Sequence, residues 1–181
     1  QPARALRGVA AGKRDRVEDW ADAAQRALGA ETAGAERAAL DAGVKVLRAA
    51  VARDGLGRMI EEAASGYALA ADASPWRSLC CLLSGVGLQL TGERARAKSY
   101  LVEGARRGGI SAPLVQVLCL AQLALIAIED DDWLGAEAVS SRARSQLDRV
   151  GLEDTSICAL VLAVSARVRA LGGGSGRKTD D

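Results

Sequence analysis

Four times in this chain a helical run ends in a small or acidic turn and resumes as a second helix, with small or apolar residues at a fixed offset. Gly12-Lys13-Arg14 leads to Val17 and Ala21, and Asp54-Gly55-Leu56 leads to Met59 and Ala63. Gly92-Glu93-Arg94 leads to Ala97 and Leu101, and Asp131-Asp132-Trp133 leads to Ala136 and Ser140. The turns recur roughly every 38–42 residues, a period that means stacked helical units. Gly172 falls at a similar interval, with no helix expected after it. Such units bury their faces only against their neighbours, so the chain reads as a helical solenoid that builds a surface rather than an enclosed active site.

Composition narrows the chemistry further. The 181 residues contain no His and no Phe, and the formal net charge is +1. Without His there is no Ser-His-Asp or Cys-His nucleophile and no histidine metal site. A charge near zero provides no field to draw in nucleic acid or an anionic membrane. Cys80, Cys81, Cys119 and Cys158 lie in apolar helical runs and read as small buried hydrophobes, not as zinc ligands. Glu61-Glu62 and Asp130-Asp131-Asp132 read as solvated helix faces or caps. Gly85-Val86-Gly87 sits inside an apolar helix and is no dinucleotide fingerprint. The phosphate-loop-like segment from Gly172 to Thr179 has Arg177 where glycine is needed. Arg106-Arg107 and Arg142, Arg144 and Arg149 lack interleaved aromatics and read as solvated faces. The apolar run at 112–128 is interrupted by Gln116 and Gln122 and closed by acidic residues, so it is no membrane span. The expectation is a cytoplasmic, non-enzymatic protein with no cofactor, no metal, no membrane association and no direct nucleic-acid binding.

Periodicity and stop signals predict about nine helices and no strand. They cover residues 3–11, 16–28, 35–53, 56–70, 75–90, 94–107, 112–129, 132–150 and 154–171. Ser74 is the expected N-cap before Pro75, and Ser111 the expected cap before Pro113. Gly108-Gly109 and Gly151 are expected to close helices. Residues 1–171 form one domain in this reading, and 172–181 a flexible linker or tail. Short connections make successive helices antiparallel.

The small residues fall where tetratricopeptide-type units need them. Gly85 and Ala124 sit on first helices at the crossing, and Ala97 and Ala136 face back from the second helices, with Leu88 and Leu101 filling the seam. The predicted fold is therefore all-α, a right-handed superhelix of tetratricopeptide-like antiparallel helix pairs. The segments Ser74-Pro75-Trp76-Arg77, Leu88-Gln89-Leu90-Thr91-Gly92-Glu93, Ala121-Gln122-Leu123-Ala124 and Asp132-Trp133-Leu134-Gly135-Ala136-Glu137-Ala138 extend the likeness. They resemble the helical-repeat region of MalT-like regulators, which combine a signal-transduction ATPase, a repeat superhelix and a LuxR-type DNA-binding domain. Gly151-Leu152-Glu153-Asp154 and the helix after it resemble the same region.

That resemblance implies a sensing or protein-interaction module of a larger bacterial transcriptional regulator. Its partners would be a protein, a peptide or a small effector, together with other domains of the parent chain. The alternative is a free-standing scaffold that binds a partner's peptide or helix. In a tetratricopeptide-type superhelix the first helices line the concave face. Alignment on the turns puts Val44, Arg48 and Val51 there, then Leu82, Val86 and Gln89, then Ala121, Leu125 and Ile128, and finally Leu162 and Arg169. Tight curvature would instead bury these side chains against one another.

Overall fold

The computed structural model describes residues 14–27, 34–151 and 156–175. Among them are eight helices and no strand: α1 (Arg14–Ala27), α2 (Ala35–Val51), α3 (Gly55–Leu69), α4 (Pro75–Leu90), α5 (Arg94–Ser111), α6 (Pro113–Glu129), α7 (Trp133–Val150) and α8 (Ser156–Ser175). The helix expected at 3–11 lies outside the described residues. From α2 onward the connections are one to five residues long, so each helix folds back on its predecessor.

Turn chemistry explains the reversals. Ser74 takes an extended backbone and its hydroxyl accepts from the Trp76 N–H, while Pro75 occupies the first helical position. Asp132 caps α7 by accepting from the Gly135 N–H at 2.9 Å. The turns leaving α2, α4 and α6 each contain a left-handed residue: Ala52 (φ 51°), Gly92 (φ 85°) and Asp131 (φ 56°). These stand 40 and 39 residues apart, so the sequence period is also a backbone period.

Three expected boundaries move. Helix α5 passes through Gly108 and Gly109 and ends at Ser111. Gly108 is there for close approach: an added Cβ would lie 2.7 Å from the backbone nitrogen of Gln116 on α6. Ser111 is consequently the last residue of α5, where its hydroxyl donates to the Arg107 carbonyl at 3.4 Å, and Ala112 takes the cap position without a side-chain bond. Helix α8 continues through residues 172–174 to Ser175, past the expected start of the linker; residues 176–181 lie outside the description.

The fixed-offset pairs form the core. Val17 and Ala21, Met59 and Ala63, Ala97 and Leu101, and Ala136 and Ser140 are all buried. In α4 the two glycines serve opposite neighbours. A Cβ at Gly85 would meet Leu101 of α5 at 2.6 Å, and one at Gly87 would meet Ile60 of α3 at 2.7 Å. Two residues apart on a helix is a rotation of about 200°, so one glycine admits each flanking helix.

Every helix packs on its chain neighbours. The only further pairs whose backbones approach closely among the described residues are α2 with α4, α4 with α6, and α6 with α8. Even-numbered helices therefore form one row, and α3, α5 and α7 cross it without close backbone approach to one another.

Candidate functional site

The residues proposed for a concave face all lie on the even-numbered row, yet they divide by burial. Val44, Val51, Leu82, Ala121 and Ile128 are buried and belong to the interhelical core rather than to a surface. Val51 packs with Val17, Leu47 and Trp20, and Ile128 packs with Ala124, Val164 and Val168. For Ile128 the reason is the row itself, since the next-but-one helix α8 approaches closely enough to cover it, whereas Val51 is covered by α1. Arg48, Val86, Gln89 and Leu125 are half-buried, and Leu162 and Arg169 are exposed. The structure thus brings the eleven positions onto one row but leaves six with access to solvent.

Two of those six make polar links between helices. The Gln89 amide donates to Glu129 at 3.5 Å, joining α4 to α6, while Gln89 Oε1 is buried without a hydrogen-bond partner. Arg48 donates to Asp22 at 3.0 Å and to Gln25 at 2.7 Å, joining α2 to α1. Arg48 also borders a cavity of about 190 Å³ lined by Asp22, Arg53, Asp54, Arg58, Met59 and Glu62. Glu62 is 3% exposed. Its carboxylate sits between Lys45 at 2.9 Å and Arg58 at 2.6 Å. The expectation of a solvated Glu61-Glu62 pair therefore holds for Glu61 alone. Glu62 shares the α3 face of Met59, Ala63 and Gly66, which packs on α2. Its place in that 59–62–63–66 spacing was the available signal.

A second polar cluster ties three helices at the other end of α3. Arg77 lies 4.7 Å from the Tyr67 ring centre, donates to the Ala70 carbonyl at 2.9 Å and pairs with Asp72. Arg107 approaches the same ring at 5.6 Å and donates to the Asp72 carbonyl at 3.2 Å. Arg107 is accordingly a half-buried interhelical tie rather than a solvated face. Arg106 and Arg107 both donate to Glu103. The Arg106 hydrogen bond, with Arg107 adding to it against partial desolvation, holds the Glu103 carboxyl down at about 2.

The thiols have the opposite character. Burial pushes Cys80 and Cys119 up to about 12 and Cys81 up to about 11, so all three stay protonated near neutrality. An added Cβ at Gly104 would meet Cys119 Sγ at 2.8 Å and Cys81 Cβ at 3.0 Å, which places both thiol side chains in the α4–α5–α6 packing. Among the described residues no group of acidic, His or Cys side chains has the arrangement of a metal site, and no helix is long and apolar enough to cross a membrane.

The class these observations define is an all-helical protein of stacked helix pairs. The chain matches no family model, no curated protein and no solved structure.

Proposed function

We propose that this chain is a tetratricopeptide-like superhelical module, non-catalytic, that binds a partner's helix or peptide or a small effector along the even-numbered row. The observation carrying this reading is one-sided stacking: among the described residues, next-but-one helices approach backbone to backbone only along α2, α4, α6 and α8, while the odd-numbered α3 and α5 meet through the Arg107 and Tyr67 side chains. In a repeat array that asymmetry curves the stack and creates an extended face. Half-buried Val86, Gln89 and Leu125 are the accessible points of the face, a mixture of apolar and polar groups that suits a docked helix. The resemblance, strongest from Ser74 to Leu171, supports assigning the module to the sensing arm of a cytoplasmic bacterial transcriptional regulator.

Two tests address the two halves of the proposal. The gene surrounding this segment is expected to encode a nucleotide-binding module before it and a LuxR-type DNA-binding module after it. In a reporter assay of the full-length product, Leu125→Glu is expected to alter output while Arg142→Ala, on exposed α7 surface, leaves it unchanged. Normal melting with normal output in Leu125→Glu would sink the binding face.

A further inference from the structure

Helix α6 repeats α4 in sequence register, so Cys81, Gly85 and Leu88 correspond to Leu120, Ala124 and Ala127, and all six are buried. In α4 this face lies under α5, with Gly85 against Leu101. In α6 the equivalent Ala124 shares a cluster with Ala136 of α7. The same step along the chain reaches Ala159, Ala163 and Ala166 of α8, and these three are exposed. Leu162, 42% exposed, and Ala170 extend the patch. Among the described residues, helix α8 therefore leaves uncovered the face with which its two counterparts each hold another helix. The patch continues an interface that the molecule already builds twice.

Charge identifies what would cover it. Arg167 and Arg169 are exposed and flank the patch on opposite sides, given a turn of about 100° per residue. Neither is ion-paired among the described residues, whereas Arg48, Arg58, Arg77 and Arg94 all have carboxylate partners. No acidic residue occurs in α8. Arg144 of α7 adds to one flank, since it and Arg169 border a groove of about 240 Å³ with the hydrogen-bonded Ser140 and Ser165 at its base; Glu137 also lines this groove, so the two arginines leave that edge with one net positive charge. A second copy of α8 would add arginines to arginines. Residues 2–12 of the chain carry Arg4 and Arg7 and no acid, so they are equally mismatched.

We infer that the outer face of α8 docks an amphipathic helix of a partner protein, with a stripe of small apolar residues seated on Ala159, Ala163 and Ala166 and Asp or Glu along both edges. Small residues are required because Ala97 and Ala136 occupy the corresponding crossings. The acidic edges pair with Arg167 on one side and with Arg169 and Arg144 on the other. This surface shares Leu162 and Arg169 with the α8 end of the even-numbered row but does not include Val86, Gln89 or Leu125, so a normal reporter output in Leu125→Glu leaves it standing.

The test uses the whole chain and a pair of synthetic helices of about five turns, each with an Ala stripe, one edged with Glu and its twin with Lys. In a fluorescence-anisotropy titration the Glu helix is expected to bind saturably, weaken with added salt, and exceed the Lys twin by about tenfold. Arg167→Glu with Arg169→Glu is expected to reverse that preference. Ala163→Glu is expected to abolish binding with an unchanged melting temperature, because the position faces solvent. Equal binding of the twins, or binding of neither, would overturn the inference, and so would loss of folding in Ala163→Glu. A dimer in light scattering that Ala163→Glu dissolves would assign the face to a second copy and overturn it as well.

Discussion

Glycine has opposite meanings at Gly57 and Gly108, although both lie inside helices. Nothing stands within 4 Å of a Cβ added at Gly57, so that residue brings only the entropic cost of its flexibility. Gly57→Ala is expected to raise stability by about 0.5–1 kcal/mol, read as a later denaturation midpoint. At Gly108 the obstruction is the Gln116 backbone, which no rotamer change can clear. Gly108→Ala is expected to lower stability by about 1–3 kcal/mol despite the gain in helix propensity. Equal shifts in the two variants would mean that α5 and α6 do not cross at Gly108. The thiols give a second residue-scale expectation. Cys80, Cys81 and Cys119 are buried and protonated, while Cys158 is partly exposed. A thiol reagent at neutral pH should modify at most one cysteine in the native chain and all four in denaturant. Rapid native modification of two or more would contradict the packing of α4 against α5 and α6.

Helix pairs are joined by apolar crossings and by polar ties, and the two respond differently to pH. Glu103 on α5 belongs to the tie that reaches α3 and α4 through Arg107, Tyr67, Asp72 and Arg77. Its carboxyl is held at about 2 in the folded chain, against an ordinary 4.5. A depressed folded value means the unfolded chain binds the proton more readily. The contribution is therefore fully present above about pH 4.5 and is lost as pH falls towards 2. About a third of the side chain is exposed, so solvent screening keeps the effect modest. Glu103→Gln is expected to flatten the fall in melting temperature between pH 4.5 and 2 while leaving the apolar crossings intact. An unchanged slope would show that the Arg106 and Arg107 bonds do not persist in solution. The Ser74-Pro75 start of α4 was legible because a cap is a local exchange of hydrogen bonds. The end of α5 was not, because a glycine pair marks a helix stop and a close crossing equally well until α6 is in place.

Contacts that reach no further than the second helix along the chain give the molecule a graded stability. Helix α4 touches α2, α3, α5 and α6, and α6 touches α4, α5, α7 and α8. Among the described residues, helix α8 touches only α6 and α7, and α1 only α2. In such an array, stability is a sum of neighbour terms, so opening begins where neighbours are fewest. Amide exchange is expected to be slowest in α4 and α6 and to quicken towards α1 and α8. Uniform protection from α1 to α8 would mean one globally cooperative bundle instead. Binding of an acidic-edged helix at α8 should slow exchange there first, which links the docking surface to one of the array's two less stable ends.

The sequence by itself determined the all-helical class, the period of the turns and the close-packing residues. Each is a local property: caps and left-handed turns depend on a few adjacent residues, and Gly85, Ala97, Ala124 and Ala136 reveal a crossing by their size alone. The tertiary structure decided which faces remain open. Val44, Val51, Leu82, Ala121 and Ile128 repeat with the same period as the accessible positions, and only the arrival of other helices buries them, α1 over Val51 and α8 over Ile128. Ala163 and Ala166 carry the same small-residue signature as Ala124 and Ala127, yet they face solvent because no helix among the described residues crosses them. Periodicity specifies which side chains share a face of a helix; burial depends on whether another element arrives to cover that face, and that is a property of the assembled chain.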